Sequence, residues 1–156
     1  MITLYEPLGL DEGHSLLEIG AGSGYTIVIA REIVGREGRV VCVEIDPQTY
    51  QNAKTTIEST GYTDIVLVLG DGYYGYAEMA PYDRICVTAA CEEIPPPLIE
   101  QLGAGGKLIA PVIKDGVQEI VLATKTGEGV VNDVIKGVEY DVPYVRMSRK
   151  NAGGEE

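Results

Sequence analysis

The sequence has no tryptophan, no phenylalanine and a single histidine, and each shortage narrows what the protein can be. Ten tyrosines are its only aromatic residues, so Val, Ile and Leu must build most of the core. One histidine, His14, cannot supply a histidine-rich metal site, and we expect no bound metal and no Ser-His-Asp triad. The cysteines Cys42, Cys86 and Cys91 show no metal-site spacing, and the first two lie in apolar runs, where a thiol behaves as a small hydrophobic group. This usage predicts a reducing, cytoplasmic compartment.

Long apolar runs and positive charge are also scarce. No run approaches the roughly 20 residues that span a bilayer, and no charged start is followed by a long apolar stretch as in a secretory signal. Asp and Glu number 24 against 12 Lys and Arg, which gives a formal net charge of -12. A phosphate backbone requires clustered basic residues, so we expect neither a nucleic-acid nor a membrane partner. A small cationic ligand would suit this electrostatic field.

The order of apolar runs predicts an α/β fold in one domain. A chain of 156 residues favours a single domain, here residues 1–150, followed by a disordered tail at 151–156. Strands are expected at 15–19, 39–45, 65–69, 84–88 and 107–112, and helices at 24–34, after Asp46-Pro47 and at 98–102. Asp115-Gly116 is a hairpin signal, so 117–123 and an extended region at 130–145 should run antiparallel. We expect a Rossmann-like, twisted, mostly parallel sheet of about seven strands with helices on both faces and an antiparallel C-terminal part.

The first glycine cluster, residues 20–24 (GAGSG), follows the first expected strand and opens a helix. Glycines at that place let a nucleoside-bearing ligand approach the backbone at the carboxyl edge of a parallel sheet. A tight turn without a ligand is the alternative for this loop taken alone. A dinucleotide fingerprint needs a third glycine where Tyr25 stands. With Glu18 before it, the spacing favours S-adenosylmethionine, which has an adenosine and a charged amino-acid tail but no phosphate.

Two further acids follow expected strands. Glu44 lies 24 residues after Gly20 at the end of the second strand, where a carboxylate can accept hydrogen bonds from both ribose hydroxyls and should contribute little to the core. A helix-capping role is the alternative for Glu44, but Asp46 already fills it. Asp71, between two glycines after the third strand, could accept from the exocyclic amine of adenine, although it could also belong to a simple turn. Three acids at one sheet edge favour a binding site.

Seven stretches are informative when they are taken together, namely 18–25, 70–72, 75–78, 80–83, 94–102, 105–109 and 142–143. In these stretches the sequence resembles the protein-L-isoaspartate O-methyltransferases. The likeness covers about residues 13–144 and is most specific between 70 and 101. The resemblance implies a class I methyltransferase domain that binds S-adenosyl-L-methionine and releases S-adenosyl-L-homocysteine. It also implies a protein or peptide acceptor, whose isoaspartyl α-carboxylate is esterified in the repair of damaged proteins.

The family's functional positions transfer to two groups of residues here. The cofactor would be held by Glu18, Gly20, Gly22, Gly24, Glu44, Asp71 and Gly72. The acceptor would be bordered by Thr88, Ala89, Ala90, Val142 and Pro143. No catalytic base is assigned, because a carboxylate acceptor is already ionised at neutral pH.

Three departures from the family pattern keep other functions open. We expect the chain to lack an N-terminal segment that covers the methyl donor. Thr88 stands where the family has glycine, and Glu92-Glu93 replace apolar residues, so they would repel an anionic acceptor. The alternatives are a non-catalytic S-adenosylmethionine-binding module or complex subunit, and a methyltransferase with another acceptor. A tRNA methyltransferase is the weaker possibility, because the charge opposes RNA binding.

Overall fold

The computed structural model describes residues 4–135 and Met147. Four helices and seven strands are present in this part of the chain, together with two short 3₁₀ turns. In chain order they are α1 (Tyr5–Leu8), β1 (Ser15–Ile19), α2 (Tyr25–Val34), β2 (Arg39–Glu44), α3 (Pro47–Ser59), β3 (Val66–Leu69), the turns Gly72–Tyr74 and Ala77–Met79, β4 (Tyr82–Val87), α4 (Pro96–Gln101), β5 (Leu102–Lys114), β6 (Val117–Thr126) and β7 (Gly129–Ile135).

All seven strands belong to one sheet in the order β3-β2-β1-β4-β5-β6-β7. The first five strands of that order are parallel, and β6 and β7 extend the sheet as antiparallel neighbours. The predicted α/β fold, with a mostly parallel sheet of about seven strands and an antiparallel C-terminal part, is confirmed. Because the order reverses between β1 and β4, loops from both halves of the sheet meet at the carboxyl ends of these central strands.

Two hydrophobic layers cover the sheet, one on each face. On one face α1 lies against β4 and β5, α2 against β1 and β2, and α3 against β2 and β3. Leu8, Ile27 and Ala53 are the buried residues that these helices contribute to this layer, among others. On the other face the short α4 packs through Leu98. The central strands are buried on both sides, which explains why they are continuous apolar runs rather than alternating ones. Helices therefore cover both faces, as predicted, although the second face carries little regular helix.

Local signals account for most helix and turn positions. Asp46 caps α3, where its Oδ2 accepts from the backbone N–H of Thr49 at 2.7 Å and Pro47 occupies the first turn. The two-residue turn Asp115-Gly116 joins β5 and β6 with positive φ at both residues, as the hairpin signal predicted. No helix in the described residues is long and apolar enough to cross a membrane.

Three predicted boundaries were wrong around the fourth crossover. Strand β4 begins at Tyr82, two residues earlier than expected, because Tyr82 already pairs with β5. The helix begins at Pro96, two residues earlier than expected, because proline is accepted in the first helical turn. Strand β5 begins at Leu102 instead of residue 107, since Leu102 already pairs with Tyr82. Between this pair and the next, Arg84 with Lys107, the glycine-rich stretch 103–106 forms an irregularity that hides the start of the strand in the sequence.

Candidate functional site

The candidate site lies along the carboxyl edge of the parallel strands. The loops after β1, β3 and β4 are tied to neighbouring strands there by backbone hydrogen bonds, each 2.9 Å long. Gly20 N–H donates to Val43, Gly70 N–H donates to the Glu44 carbonyl, and Thr88 N–H donates to Ile19. The sheet therefore brings the glycine-rich loop, Glu44 and the Asp71 loop to one edge.

The glycine-rich loop uses its glycines for close packing and for backbone shape. Gly20 has φ +94°, and a Cβ there would collide with the hydroxyl of Thr88. Gly24 has φ +87°, and a Cβ there would lie 3.0 Å from the backbone of Ala53 in α3. Gly22 faces open space, with no atom within 4 Å of the place a Cβ would take, so this part of the loop is accessible to a ligand.

Glu44 is nearly buried and fixed by two backbone donors. Its Oε2 accepts from Ala21 N–H at 2.7 Å, and its Oε1 accepts from Asp46 N–H at 2.9 Å. The carboxylate thus joins the glycine-rich loop to the start of α3. Each oxygen has two lone-pair positions, so one remains on each for a further donor such as a ribose hydroxyl. Glu44 was expected to contribute little to the core, but its side chain is nearly buried and satisfies two backbone N–H groups.

Asp71 has one satisfied oxygen and one without a partner. Its Oδ1 accepts from Tyr73 N–H at 3.0 Å, in a short turn that begins with Gly72. Its Oδ2 is buried and has no hydrogen-bond partner; among described residues, Arg39 Nε is the only other such side-chain atom. A buried carboxylate oxygen without a donor is unfavourable, so a ligand amine placed there would satisfy it. Gly72 packs so closely on Ile19 that a side chain there would collide.

Glu18 lies beneath the glycine-rich loop and is 1% exposed. Its carboxyl is hydrogen-bonded to the Tyr5 hydroxyl, and Thr26 Oγ1 donates to its Oε1 at 3.1 Å. The Tyr5 hydroxyl also lies 3.0 Å from the Thr26 carbonyl oxygen. Its single proton can serve only one of these two acceptors, so both contacts are satisfied only when Glu18 is protonated and donates to Tyr5. Burial raises the pKa of Glu18 to about 7, although its hydrogen bonds with Tyr5 and Thr26 oppose the rise.

An open pocket of about 540 Å³ lies beside these loops. It is lined by Tyr73, Ala90, Cys91, Glu92, Glu93, Pro95 and Met147. Its walls come from the loops after β3 and β4, so it adjoins Asp71 at the same sheet edge. None of the described residues that line it is cationic.

The predicted acceptor residues are only partly brought together at this pocket. Thr88 points toward β1, and its hydroxyl donates to the Ile19 carbonyl at 2.7 Å, so it supports the glycine-rich loop. Ala89 is half-buried and does not line the pocket, while the next residue, Ala90, does. Val142 and Pro143 lie outside the described residues.

Sequence reasoning missed four residues that shape the site. Tyr73 could have been found, because it follows the Gly-Asp-Gly turn directly. Gln101 stands in a stretch that carries the family resemblance, but nothing in the pattern shows which group its amide contacts. Tyr5 and Met147 reach the site across long sequence separations, as in the 2.7 Å bond from Met147 N–H to the Ala90 carbonyl. Such contacts leave no local signal.

The glycine-rich loop after β1 and the acids that follow β2 and β3, on a sheet of this topology, define a class I methyltransferase fold. A family model described as protein-L-isoaspartate(D-aspartate) O-methyltransferase matches residues 1–151. The chain belongs to this family.

Curated relatives and solved structures agree with this assignment. A protein-L-isoaspartate O-methyltransferase of Methanococcus maripaludis is 49% identical over 107 residues, which are 69% of this chain and 50% of that protein. The Methanococcus aeolicus protein of the same name is 40% identical over 140 residues, or 90% of this chain and 64% of its own. A solved protein-L-isoaspartate O-methyltransferase superposes with a TM-score of 0.82 at 35% identity, covering 96% of this chain and 45% of that one. The chain thus spans about half to two thirds of these curated relatives.

A more distant structure shows the same fold. A Plasmodium falciparum protein described as a putative protein-L-isoaspartate O-methyltransferase in complex with S-adenosyl-L-homocysteine has a TM-score of 0.80 at 22% identity. The match covers 94% of this chain and 72% of the other.

Proposed function

We propose that this chain is the catalytic domain of an S-adenosylmethionine-dependent methyltransferase that esterifies isoaspartyl carboxylates in proteins. The observation that carries the proposal is the unpartnered, buried Oδ2 of Asp71, which stands on the same sheet edge as the fixed carboxylate of Glu44. Together they offer an acceptor for an adenine amine and acceptors for ribose hydroxyls. The names of the relatives supply the reaction and the acceptor class.

The residues present fit the cofactor. Glu44 would hold the ribose and Asp71 the adenine amine, while Gly20, Gly22 and Gly24 would let the backbone approach the amino-acid tail. Gly72 would keep the Asp71 turn close to β1. Contact between the cofactor and Glu18 stays a prediction, because the Glu18 carboxyl is occupied by Tyr5 and Thr26. When bound, S-adenosylmethionine supplies a methyl group on a sulfonium centre, and S-adenosylhomocysteine is the product.

The chain's own contribution to catalysis is positioning. An isoaspartyl α-carboxylate is ionised at neutral pH, so its oxygen needs no general base. The pocket walls formed by Tyr73, Pro95 and Met147 would orient the acceptor and exclude water. Orientation of this kind can supply roughly 7–11 kcal/mol of the barrier.

Acceptor recognition rests on residues around the pocket. Ala90 lines it, and Thr88, Ala89, Val142 and Pro143 are the other residues proposed to border the acceptor. The exposed Glu92 and Glu93 line the same pocket, and their carboxylates would repel an anionic acceptor electrostatically. This opposition favours isoaspartyl sites whose neighbouring residues carry positive charge.

The cellular compartment and the class of acceptor are also proposed. All three cysteines are buried and free, which supports a reducing, cytoplasmic compartment. The net charge of -12 supports a protein or peptide acceptor over a nucleic acid.

A methyl-transfer assay tests the function. The protein is incubated with S-adenosylmethionine labelled in its methyl group and with two peptides that differ only in an isoaspartyl or a normal aspartyl linkage. We expect base-labile methyl ester on the isoaspartyl peptide alone. Equal labelling of both peptides would contradict isoaspartyl specificity. Binding of S-adenosylhomocysteine without labelling of either peptide would contradict the proposed reaction and favour a non-catalytic binding module or a different acceptor.

A further inference from the structure

Gln101, the last residue of α4, holds the loop that follows Asp71. Its side chain is nearly buried, with 7% exposed. Its Oε1 accepts from Tyr76 N–H at 2.9 Å, and its Nε2 donates to the Tyr74 carbonyl at 2.8 Å. Both bonds flank Gly75, where a Cβ would collide with the Gln101 amide. One side chain thus secures the backbone on both sides of a glycine.

The two elements that Gln101 joins carry opposite parts of the candidate site. The loop contains Asp71, whose Oδ2 lacks a partner, and Tyr73, which lines the pocket. Helix α4 begins directly after Pro95, another residue of the pocket lining. The position of the Asp71 loop relative to α4 therefore depends on the Gln101 amide.

We propose that Gln101 is a positioning residue that sets the placement of Asp71 and Tyr73 for the cofactor and the acceptor. This inference rests on the proposed function. It explains the residue type, because the loop requires an acceptor and a donor on two separate atoms of one side chain, and a carboxamide offers both at every pH. A leucine or methionine offers neither, and an ionised glutamate offers only the acceptor.

Two substitutions and one control separate positioning from general stability. Gln101→Met removes both hydrogen bonds at similar volume. Gln101→Glu keeps the acceptor, and it regains a donor toward the Tyr74 carbonyl only when protonated. The control is Lys125→Met, because Lys125 Nζ donates to the Ile99 and Leu102 carbonyls at 3.1 and 2.8 Å and so supports the same end of α4 without touching the loop.

The measurements are the Kd of S-adenosylhomocysteine by calorimetry, the KM and kcat for an isoaspartyl peptide, and amide hydrogen exchange of residues 71–76. For Gln101→Met we expect Kd and KM to rise about tenfold, faster exchange in the loop, and a smaller change in kcat. Lys125→Met should lower the melting temperature but leave Kd, KM and loop exchange unchanged. For Gln101→Glu, Kd should approach the wild-type value as the pH falls, measured against wild type at each pH.

Failure of this inference differs from failure of the proposed function. If wild type binds S-adenosylhomocysteine but both Gln101 variants match its Kd, KM and loop exchange, the positioning role is overturned and the function stands. If Gln101→Met does not fold, a Gln101→Glu variant whose Kd shows no recovery at low pH overturns the role equally. If wild type binds no S-adenosylhomocysteine, the proposed function fails, and loop exchange alone decides whether Gln101 holds the loop.

Discussion

Replacing Glu18 by glutamine should stabilise the protein relative to wild type more at pH 8 than at pH 5. The quantity compared is the difference in unfolding free energy between variant and wild type at each pH. The Glu18 carboxyl is buried with Tyr5 and Thr26 beneath the glycine-rich loop, and this burial raises its pKa from an ordinary 4.5 to about 7. A group whose folded pKa is raised contributes stability that is fully present below about pH 4.5. That contribution is lost as the pH rises toward about 7, because the folded protein must then hold a buried charge.

The size of the effect follows from the difference between the two pKa values. Each pKa step corresponds to about 1.4 kcal/mol, so wild type should lose about 3 kcal/mol of unfolding free energy between these limits through Glu18 alone. Glutamine is neutral at every pH. Its Nε2 can donate to the Tyr5 hydroxyl and its Oε1 can accept from Thr26, so it mimics the protonated acid.

The assay is urea denaturation from pH 5 to pH 8, followed by far-ultraviolet circular dichroism because the chain has no tryptophan. The variant-minus-wild-type difference in unfolding free energy should increase with pH and level off above about pH 7. Glu12→Gln, at an exposed position, is the matched control for the loss of a carboxylate and should change the unfolding free energy only slightly. Parallel stability curves for Glu18→Gln and wild type would refute the assignment of a neutral buried acid.

Three further outcomes follow from the site. Glu44→Ala should weaken S-adenosylhomocysteine binding more than tenfold, which corresponds to a loss of roughly 1.5–3 kcal/mol. It should also lower the melting temperature, because two backbone N–H groups lose their acceptor. An unchanged Kd in calorimetry would contradict the ribose role. Thr88→Val removes the hydrogen bond from the Thr88 hydroxyl to the Ile19 carbonyl, so amide hydrogen exchange in the glycine-rich loop should become faster. Exchange at the wild-type rate in this variant would show that the hydroxyl is dispensable. The double variant Glu92→Gln, Glu93→Gln should lower the KM for an isoaspartyl peptide of zero net charge, because the ionised isoaspartyl carboxylate is then no longer repelled. Added salt should shrink the difference in KM between this variant and wild type. A KM that responds to neither change would exclude these acids from acceptor recognition.

The sequence predicted the sheet well because the relevant signals are local. Buried strands such as β2 are continuous apolar runs, Asp46-Pro47 marks a helix start, and Asp115-Gly116 marks a hairpin. The start of β5 was missed because its pairing with Tyr82 precedes a glycine-rich irregularity, so periodicity cannot show it. Boundaries that depend on a partner strand are not encoded in the strand itself.

The site was predicted in outline but not in its connections. Glu44 and Asp71 could be found because acids at strand ends meet at one edge of a parallel sheet. The contact between Tyr5 and Glu18 joins α1 to β1, and the hydrogen bonds of the Gln101 side-chain amide join α4 to a loop 25 residues away in the sequence. Both depend on helix packing against the sheet, which a sequence pattern does not specify. The Thr88 hydroxyl donates to the Ile19 carbonyl at the end of β1, a contact that no sequence pattern specifies, and the role of Thr88 beside the acceptor stays a prediction.

The central claim is that Asp71 and Glu44 hold the adenosine of a sulfur nucleoside, and calorimetry with paired ligands tests it most directly. Wild type and Asp71→Asn are titrated with S-adenosylhomocysteine, with its inosyl analogue, in which a carbonyl oxygen replaces the adenine amine, and with NAD. Wild type should bind the adenosyl compound more than tenfold tighter than the inosyl one and should not bind NAD. Asp71→Asn should narrow or reverse the preference for the adenosyl compound, because the asparagine amide can donate to the inosyl carbonyl. Equal affinity of wild type for the two nucleosides, or tighter binding of NAD, would contradict the account.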